Sequence, residues 1–540
     1  MKYIFVSGGV LSGLGKGITS ASLGLLLKSR GIKTTIMKCD MYLNQDAGTM
    51  NPIEHGEVFV TKDGLETDQD LGHYERFLNQ NLNRSNYVTS GMIYKIVMDN
   101  ERALKYDGKC VEPYHFIPVE IIKKWEEAGI QNKADVVIVE FGGTVGEYEG
   151  LLFFEAYRLF KIKNPNDVCL VHVGYLPAPE SIGELKSKPI QQSVGSLNSL
   201  GIQPDFIVGR AVKEIDLKRK EKIALASGLP IENIVSNPDL DSVYKVPLQL
   251  KKEKLDLKII KKLNIKSKDQ NLKEWEKMLQ NINESKKIVK IAVVGKYQKT
   301  GDYILSDSYV CVVEALKHAG AKLKVTPEIV WIDSQALENL TNEEIKKELS
   351  PFAGIIIPQG WGKRGVEGKI VAIKYARENN IPYLGLCFGM QMAVIEFARN
   401  VLGFKDANTT EANPATKHPV IHIMPKQVEY LEKGQYGGTI RLGNWPCKIK
   451  KGSILESVYK KDVVNDERHR HRYEFNNKFK KSFEKKGFIL SGTSPDGKLV
   501  EAIELKNHKF FVGTQFHPEY ISKPLSPHPL FISFLKASSN

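Results

Sequence analysis

The amino-acid sequence predicts an α/β fold made of two successive units, each with a mostly parallel sheet. Its 540 residues exceed what one hydrophobic core usually serves, so two or more domains are expected. Short β-branched runs alternate with helix-compatible stretches, which is typical of parallel strands covered on both faces. The pattern begins at residue 3 and restarts at residue 291, after a Lys- and Glu-rich stretch that predicts a helical connector. We therefore expect domains at 1–262 and 290–540, joined by a linker at 263–289.

Each strand of the two units is indicated by a short apolar run that is rich in Val and Ile. Glycine turns separate these runs from helix-compatible segments, the first of which covers 18–30. The expected strands are 3–6, 136–139, 169–173 and 206–208 in the first unit, and 291–295, 329–332, 354–357 and 383–386 in the second.

Composition and charge favour a soluble cytoplasmic protein. Hydrophobic residues make up 42% and charged residues 26% of the chain, and no apolar run approaches the roughly 18 residues of a membrane span. The first residues indicate a buried strand, not a signal peptide. Six cysteines without CxxC pairs argue against disulfides and zinc, and favour a reducing compartment. Despite a net charge of +14, no nucleic-acid motif is present, so neither nucleic acid nor membrane is an expected partner.

A cysteine between two glycines is the sharpest local signal. The apolar run 383–386 ends in Gly385-Leu386-Cys387-Phe388-Gly389, and a helical pattern follows. This is the cysteine version of a nucleophile elbow, in which glycines permit a sharp turn and the following helix N-terminus favours the thiolate. The alternative is an inert buried cysteine beside incidental glycines.

Two further segments can complete such a site. On an extended chain, His517 and Glu519 project to the same side, so the imidazole can accept a proton from Cys387 while the carboxylate orients it. The turn 358–362 follows a strand, and its N–H groups can form an oxyanion hole with that of Phe388, each donor contributing about 3 kcal/mol. Alone, His-x-Glu indicates only a polar surface, and the turn only a strand-to-helix connection.

Together these segments resemble the class I glutamine amidotransferases over most of residues 290–540. The resemblance implies a flavodoxin-like α/β glutaminase domain with catalytic Cys387, His517 and Glu519, and a γ-glutamyl thioester at Cys387. It also implies a glutamine site at Gly360, Phe388, Gly389, Met390, Gln391, Glu411 and Arg472. The family usually has two glycines after the proline of the turn, and Gln359 replaces the first.

A glycine-rich loop after the first strand predicts a phosphate site. Residues 7–17 place converging backbone N–H groups, a helix N-terminus and Lys16 together. Five residues separate Gly9 from Gly15, and Gly17 stands where a P-loop has the Ser or Thr that binds magnesium. The alternative is a tight turn with a solvated lysine. Asp70 and Glu140 are candidates for the missing Mg²⁺ ligand, because carboxylates beside phosphates suit this ion, although each alone reads as a surface acid.

Seven blocks in one order resemble the CTP synthase family over nearly the whole chain. They are residues 8–18, 55–60, 68–77, 140–146, 186–189, 365–368 and 467–474. The resemblance implies a P-loop-like parallel-sheet amidoligase domain at 1–262. It implies ATP-dependent amination of UTP to CTP, the final step of de novo CTP formation, with ammonia taken from glutamine. It further implies Mg²⁺, GTP as allosteric activator, CTP as feedback inhibitor, a homotetramer and an internal ammonia channel.

The same resemblance assigns nucleotide sites by matching motifs. Lys16 and Lys38 should contact phosphates or developing charge, and Asp70 and Glu140 should hold Mg²⁺. The implied ATP site is Gly13, Leu14, Gly15, Lys16, Gly17, Ile18, Asp70 and Leu240. The implied UTP or CTP site is Ser12, Glu147, Tyr148, Glu149, Lys186, Ser187, Lys188, Pro189, Ile190, Gln191 and Lys222.

The chain departs from the family mainly in its regulatory segments. Gly13 replaces a second serine of the loop, Met41 replaces a proline, and Glu147 is one methylene longer than the usual acid. The stretch 111–118 departs most. Two rival hypotheses stay open at this point: an amidotransferase acting on another carboxylate substrate, and a weakened subunit that serves as a structural polymer.

Overall fold

A computed structural model describes residues 1–181, 183–296, 299–300, 303–304 and 306–540. The chain forms two compact units. The first comprises Met1–Asp46 and Asp70–Lys273, and the second comprises Ala47–Gln69 and Glu274–Asn540. The boundary after Lys273 lies inside the linker predicted at 263–289. Residues 47–69 differ from the prediction, which placed them in the first domain, because they belong to the second unit.

The strands follow the predicted order and are accompanied by shorter ones. In the first 286 residues they are β1 (Lys2–Gly8), β2 (Thr34–Asp40), β3 (Phe59–Val60), β4 (Glu66–Thr67), β5 (Tyr87–Thr89), β6 (Val136–Phe141), β7 (Val168–Tyr175), β8 (Phe206–Ala211) and β9 (Ile234–Pro238). The later ones are β10 (Lys287–Gly295), β11 (Lys299–Thr300), β12 (Tyr303–Ile304), β13 (Val325–Asp333), β14 (Gly354–Ile357), β15 (Tyr383–Leu386), β16 (Asn408–Thr409), β17 (Pro419–Ile423), β18 (Arg441–Ile449), β19 (Val463–His471), β20 (Tyr473–Phe475), β21 (Phe488–Thr493), β22 (Val500–Leu505) and β23 (Phe511–Thr514).

Helices connect most of these strands. In the first part of the chain they are α1 (Lys16–Ser29), α2 (Pro52–His55), α3 (Asp70–Leu78), α4 (Ser90–Arg102), α5 (Pro113–Gln131), α6 (Leu151–Lys163), α7 (Lys188–Ser199), α8 (Leu217–Ser227), α9 (Val246–Lys252), α10 (Leu255–Lys262) and α11 (Lys273–Glu284). They continue with α12 (Val310–Leu323), α13 (Asn342–Leu349), α14 (Val366–Glu378), α15 (Phe388–Asn400), α16 (Pro425–Glu432), α17 (Ile454–Tyr459), α18 (Lys480–Glu484), α19 (Pro518–Ile521) and α20 (Pro529–Ser539).

The first unit is a parallel sheet in the order β5-β2-β6-β1-β7-β8-β9. Every neighbouring pair in it is parallel. The strand residues are almost all buried, as expected when helices cover both faces. All strands therefore end at one edge of the sheet, where open α/β proteins bind ligands.

An aromatic cluster fills one side of this sheet. Trp125 of α5 is fully buried, and its ring meets that of Phe5 edge to face at 4.8 Å. Phe5 also contacts Tyr157 and Phe160 of α6 at 4.9 and 6.2 Å. These large rings hold α5 and α6 against β1 and therefore support the start of the glycine-rich loop.

The stretch predicted as a connector is helical, and one side of its helices is buried. Leu255 and Ile259 of α10 are buried, and Asp256 pairs with Arg30 at 2.7 Å. In α11, which crosses the boundary between the units, Trp275 is only 1% exposed. Apolar residues recur at helical spacing and pack inward, while the charged residues occupy the outer faces of these helices.

The second unit contains a nine-stranded sheet in the order β13-β10-β14-β15-β23-β22-β21-β18-β19. The strands from β13 to β23 are parallel to one another. The remaining strands are antiparallel. The parallel part matches the sequence prediction, whereas the antiparallel extension was not predicted.

Residues 47–69 join the second unit through buried polar contacts. Glu57 accepts hydrogen bonds from the backbone N–H of Cys311 at 2.7 Å and from the side-chain amide of Gln359 at 2.5 Å. Glu66 pairs with Arg470 at 2.8 Å. These partners lie hundreds of positions away in sequence, which explains why local patterns placed the segment in the first domain.

In the part of the chain that the structure describes, every helix is too short or too polar to cross a bilayer.

Removing the large ring of Trp125 tests the aromatic cluster. Trp125→Ala should lower the free energy of unfolding by about 3–5 kcal/mol, because it leaves a large cavity between α5 and β1. Denaturant titration of the full chain measures this change. Leu225→Ala, at a position 87% exposed in α8, is the control and should change stability by less than about 0.5 kcal/mol. Equal effects of the two variants would contradict the packing described.

Candidate functional site

Cys387 occupies a strained turn between β15 and α15. Its backbone has φ 51° and ψ −97°, a conformation that costs a non-glycine residue free energy and is concentrated at functional sites. The residue is 5% exposed. Its Sγ lies 3.5 Å from the side-chain Nε2 of Gln515 and 3.7 Å from the backbone carbonyl of Arg470. The predicted nucleophile elbow is therefore present, with the thiol at the N-terminus of a helix.

The two glycines that flank this cysteine are required by packing. A Cβ at Gly389 would overlap the carbonyl oxygen of Ile357, and one at Gly385 would lie 2.8 Å from the carbonyl carbon of Gly389. Both contacts are too short for a real side chain. The spacing Gly-x-Cys-x-Gly thus lets α15 approach β14 closely enough to hold the cysteine above the sheet.

His517 and Glu519 form a buried pair beside Cys387. Nδ1 of His517 lies 2.7 Å from Oε1 of Glu519, which leaves Nε2 to face the thiol. Burial lowers the pKa of His517, but the charges of Glu519 and Cys387 oppose this effect, and the net pKa is raised from 6.5 to about 10. This environment favours the protonated imidazole beside the thiol group of Cys387.

The structural reason for this pairing differs from the predicted one. The sequence argument assumed an extended chain, whereas His517 precedes the short helix α19, which contains Glu519. The backbone of His517 (φ −112°, ψ 81°) turns the chain into this helix, and that turn brings the two side chains together instead. The ring of Tyr520 stacks on that of His517 with centroids 4.7 Å apart, and this contact fixes the plane of the imidazole.

Hydrogen bonds from Gln359 and Gly362 hold the turn that was predicted to form the oxyanion hole. Gln359 donates a hydrogen bond to Glu57 at 2.5 Å, and the N–H of Gly362 donates one to Glu411 at 2.7 Å. Gln359, which replaces a glycine of the family pattern, is therefore a buried anchor for residues 47–69. The pKa of Glu411 is raised by burial, although the bond from Gly362 opposes this.

A cavity of about 300 Å³ is lined in part by Arg470, whose backbone carbonyl lies 3.7 Å from Sγ of Cys387. Two of the residues assigned to glutamine binding, Glu411 and Arg472, line it with Arg470 and Tyr473. Gln391 of α15 donates to the carbonyl of Tyr473 at 3.0 Å. A carboxylate and a guanidinium on one wall suit the two charged groups of an amino acid. The side chain of Met390, in contrast, lies in the hydrophobic core.

In the first unit, the glycine-rich loop leads from β1 into α1 as predicted. Gly13 and Gly15 have φ values of 73° and 84°, which few other residues adopt at low cost. Lys16 begins α1, and its Nζ donates to the carbonyl of Gly143, after β6, at 2.7 Å. The lysine therefore lies over the loop and is not a solvated surface residue.

Gly17 makes room for the carboxylate predicted to bind Mg²⁺. A Cβ at Gly17 would overlap Oδ1 of Asp70, at the start of α3. A Ser or Thr at this position, as in ordinary P-loops, would displace that carboxylate. The structure thus explains the departure noted in the sequence, because Asp70 occupies the space of the missing hydroxyl.

Asp70 and Glu140 both pair with the ammonium group of Lys38. Nζ of Lys38 contacts Asp70 closely and lies 3.0 Å from Oε1 of Glu140. Tyr74 donates to the other oxygen of Glu140 at 2.5 Å, and Asp40 lies 3.9 Å from the same ammonium. The two carboxylates therefore fit a divalent ion that also binds phosphate oxygens. Among the described residues there is no metal-binding arrangement of three or more His, Cys, Asp or Glu side chains.

Burial is the largest cause of the pKa shifts in this cluster. Burial raises the pKa of Glu140, and the neighbouring Asp70 raises it further, although Lys38 opposes both. Burial also lowers the pKa of Lys16, as does the nearby Lys38. His172 of β7, held between two serines, has its pKa lowered to about 3 by burial and by Lys16, so it stays neutral.

The other residues assigned to nucleotides lie near the carboxyl ends of the parallel strands. Leu240 follows β9, residues 147–149 follow β6, and 186–191 lead into α7 after β7. Tyr148 is 88% exposed, and Lys222 is exposed on α8. Lys186 pairs with Glu184. Glu147 accepts from the N–H and hydroxyl of Thr144 at 2.8 and 2.7 Å, which shows a local structural role for this departing residue.

Comparison with known proteins gives the family. Residues 2–265 match the model of the CTP synthase N-terminus, and residues 304–537 match that of class I glutamine amidotransferases. A CTP synthase of Caldanaerobacter subterraneus is 50% identical over 540 residues, covering 100% of this chain and 98% of the relative. The chain belongs to the CTP synthase family. A second member, from Halalkalibacterium halodurans, is 49% identical over 99% of both chains.

A solved glutaminase domain of Trypanosoma brucei CTPS, with bound acivicin, covers 46% of this chain at 39% identity and a TM-score of 0.42. Family membership confirms the predicted α/β fold, with a parallel sheet in the N-terminal unit and a class I glutamine amidotransferase unit after it. It also confirms the enzyme class. The chain is a glutamine-hydrolysing ligase whose two units fit conversion of UTP to CTP.

Several residues of these sites were missed by the sequence argument. Gln515, Tyr520 and the carbonyl of Arg470 surround the cysteine and histidine, and Tyr74 contacts Glu140. Gln515 and Tyr520 flank His517 closely in sequence, so proximity could have suggested them. Tyr74 and Arg470 lie in the blocks 68–77 and 467–474 that carry the family resemblance, but their contacts with Glu140 and Cys387 depend on long-range packing.

Replacing Glu519 tests the electrostatics of the pair. Glu519→Gln should lower the pKa of His517 and reduce the glutaminase kcat on the order of a thousandfold, because the imidazole loses its orientation and its counter-charge. Glu484→Gln, at an exposed position of α18, is the matched control and should keep wild-type turnover.

The same pair should affect stability in a defined pH window. The folded-state pKa of His517, about 10, lies above its ordinary value of 6.5. Its protonation therefore stabilises the fold fully below about pH 6.5, and this contribution is lost as pH rises through about 10. Urea titrations across this range should show the stability gap between wild type and Glu519→Gln narrowing with rising pH. A gap that widens would contradict the assignment.

Proposed function

We propose that Cys387, His517 and Glu519 hydrolyse glutamine in the second unit. The observation that supports this most is the strained cysteine at a helix N-terminus beside the buried histidine–carboxylate pair. The thiolate of Cys387 attacks the γ-carbonyl carbon of glutamine. His517 gives its proton to the leaving nitrogen, and ammonia departs from a γ-glutamyl thioester. Water, deprotonated by His517, then releases glutamate and restores the cysteine.

The negative oxygen formed in this reaction needs hydrogen-bond donors. The backbone N–H groups of Gly360 and Phe388 are the proposed donors, since both residues border the cysteine turn. Glu411 and Arg472 in the adjoining cavity are proposed to bind the amino and carboxylate groups of glutamine. Gln391 and Gly389 belong to the same proposed site through the first turn of α15.

The first unit is proposed to bind ATP and UTP at the carboxyl edge of its sheet. Backbone N–H groups of residues 13–18 and the ammonium of Lys16 suit the phosphates of ATP. Asp70 and Glu140 would hold Mg²⁺, which supplies charge neutralisation between phosphate groups. Lys38 then remains next to the transferred phosphoryl group, where its positive charge stabilises developing negative charge.

In this proposal ATP activates the substrate and ammonia displaces the activating group. The 4-oxygen of the UTP ring attacks the γ-phosphorus of ATP, and ADP leaves. Ammonia adds to the 4-carbon, a proton is lost, and inorganic phosphate departs to give CTP. Residues 147–149 and 186–191 with Lys222 are the proposed contacts of UTP, and of CTP as inhibitor. Leu240 is proposed near the adenine of ATP.

Regulation and assembly form the finer part of the proposal. We propose GTP activation, CTP feedback inhibition, a homotetramer and a cytoplasmic location, as the family resemblance implies. In the stretch 111–118, which departs most from the family, Tyr114 of α5 is 53% exposed. This solvent-facing surface is where differences in CTP inhibition or assembly are expected.

Cys387→Ala tests the division of labour between the units. The variant should lose glutamine-dependent CTP formation and keep ammonium-dependent formation, because only the nucleophile of the second unit is removed. Both rates are measured with ATP, UTP and Mg²⁺, following CTP. Cys447→Ala, at another buried cysteine of the second unit, is the control. Loss of both activities in Cys387→Ala with an unchanged Tm would contradict the proposal.

Asp70→Asn tests the metal assignment. It should raise the Mg²⁺ concentration for half-maximal ammonium-dependent synthesis by on the order of tenfold or more, since one of two carboxylates is lost. Glutamine hydrolysis itself should persist. Asp107→Asn, exposed in the first unit, should behave like wild type. An unchanged Mg²⁺ dependence in Asp70→Asn would remove Asp70 from the metal site.

A further inference from the structure

A buried amide side chain reaches the sulfur of Cys387 from the neighbouring strand. Strands β15 and β23 are parallel, and their register pairs Leu386 with Thr514 at the last residue of each strand. The residues that follow, Cys387 and Gln515, therefore lie side by side at the carboxyl edge of the sheet. Gln515 is 0% exposed, and its Nε2 lies 3.5 Å from Sγ of Cys387. The sheet register thus brings this amide to the nucleophile.

The hydrogen bonds around Gln515 decide which end of its amide faces the sulfur. Nε2 of Gln391 lies 3.0 Å from the backbone carbonyl oxygen of Tyr473. Because a carbonyl oxygen can only accept, this nitrogen is a donor. The same nitrogen lies 3.3 Å from Oε1 of Gln515, to which it donates its second hydrogen. The oxygen of Gln515 is therefore occupied, and its NH₂ group is left to face Cys387.

The sulfur of Cys387 has different hydrogen-bond partners for its two protonation states. The thiol can donate to the backbone carbonyl of Arg470 at 3.7 Å. A thiolate has no hydrogen to donate and needs a donor instead. The N–H of Gln515 is such a donor, and a hydrogen bond to a charged group is stronger than one between neutral groups. The contact with Gln515 therefore favours the charged sulfur, which is the nucleophilic form.

We propose that Gln515 is a further catalytic residue of the glutaminase site, whose side-chain N–H donates a hydrogen bond to the thiolate of Cys387. Before the attack on glutamine, this bond stabilises the thiolate. When water later cleaves the thioester, the carbon–sulfur bond breaks, and the same N–H stabilises the sulfur that leaves with the electron pair. Gln391 holds the amide of Gln515 in this orientation. The inference rests on the proposed role of Cys387.

Gln515→Met tests this role, because methionine has a similar length and no N–H. The glutaminase kcat should fall on the order of tenfold or more, as expected for loss of a hydrogen bond to a charged group. The KM for glutamine and ammonium-dependent CTP formation should not change, since the amide acts on the sulfur and not on bound glutamine.

Alkylation of Cys387 by iodoacetamide measures the thiolate directly, because the thiolate is the reacting form. The modified Cys387 peptide is quantified by mass spectrometry across a pH series without glutamine. In Gln515→Met, the pH at which alkylation reaches half its maximal rate should rise by about one pH unit, which corresponds to the same tenfold effect. A residue that only filled space would leave this pH unchanged.

Gln515→Glu is a second variant, in which a carboxylate of the same shape replaces the amide. It should raise the pH of half-maximal alkylation further, because a negative charge then lies beside the sulfur. Gln335→Met, at an exposed position of the second unit, is the matched control and should keep the wild-type kcat and pH profile.

A wild-type kcat and pH profile in Gln515→Met would overturn the inference. So would a fall in kcat with an unchanged pH profile, because that combination indicates disturbed packing. If Gln515→Met does not fold, Gln515→Glu decides, and an unchanged or lower pH of half-maximal alkylation in that variant would overturn the inference. If Cys387→Ala kept glutaminase activity, the proposed site would fail independently of Gln515.

Discussion

The constraint on which the glutaminase site depends is the strained backbone at Cys387. A residue with φ 51° is held there only because α15 packs closely on β14, and the flanking glycines permit that approach. The turn places the sulfur at a helix N-terminus, next to the buried pair of His517 and Glu519. Without this close packing the turn would relax and the sulfur would move away from the histidine.

The first unit concentrates opposite charges at the carboxyl edge of its parallel sheet. Asp70 and Glu140 share the ammonium of Lys38, while Lys16 lies over the glycine-rich loop. In low dielectric these charges interact strongly and stay ordered. The proposed metal–phosphate ligand suits this arrangement, because its phosphates can join the lysines while the ion joins the carboxylates. This arrangement of charges also requires glycine at position 17, because a Cβ there would overlap Oδ1 of Asp70.

The sequence predicted local features well and long-range ones poorly. The strands β1, β6, β14 and β15 were predictable because buried parallel strands are continuous β-branched runs. The antiparallel strands β18, β19, β21 and β22 alternate weakly in hydrophobicity, so their place in the nine-stranded sheet was not predicted. The contact between Glu57 and Gln359 joins positions far apart in the chain and could not be inferred locally.

Cys387 is proposed to form a covalent intermediate with glutamine. Rapid acid quenching of the enzyme during glutamine turnover, followed by peptide mass spectrometry, detects this intermediate most directly. We expect one γ-glutamyl group on the peptide that contains Cys387, with more accumulating in Glu519→Gln if thioester hydrolysis becomes the slower step. A γ-glutamyl adduct on another cysteine, or turnover without any adduct in either protein, would contradict it.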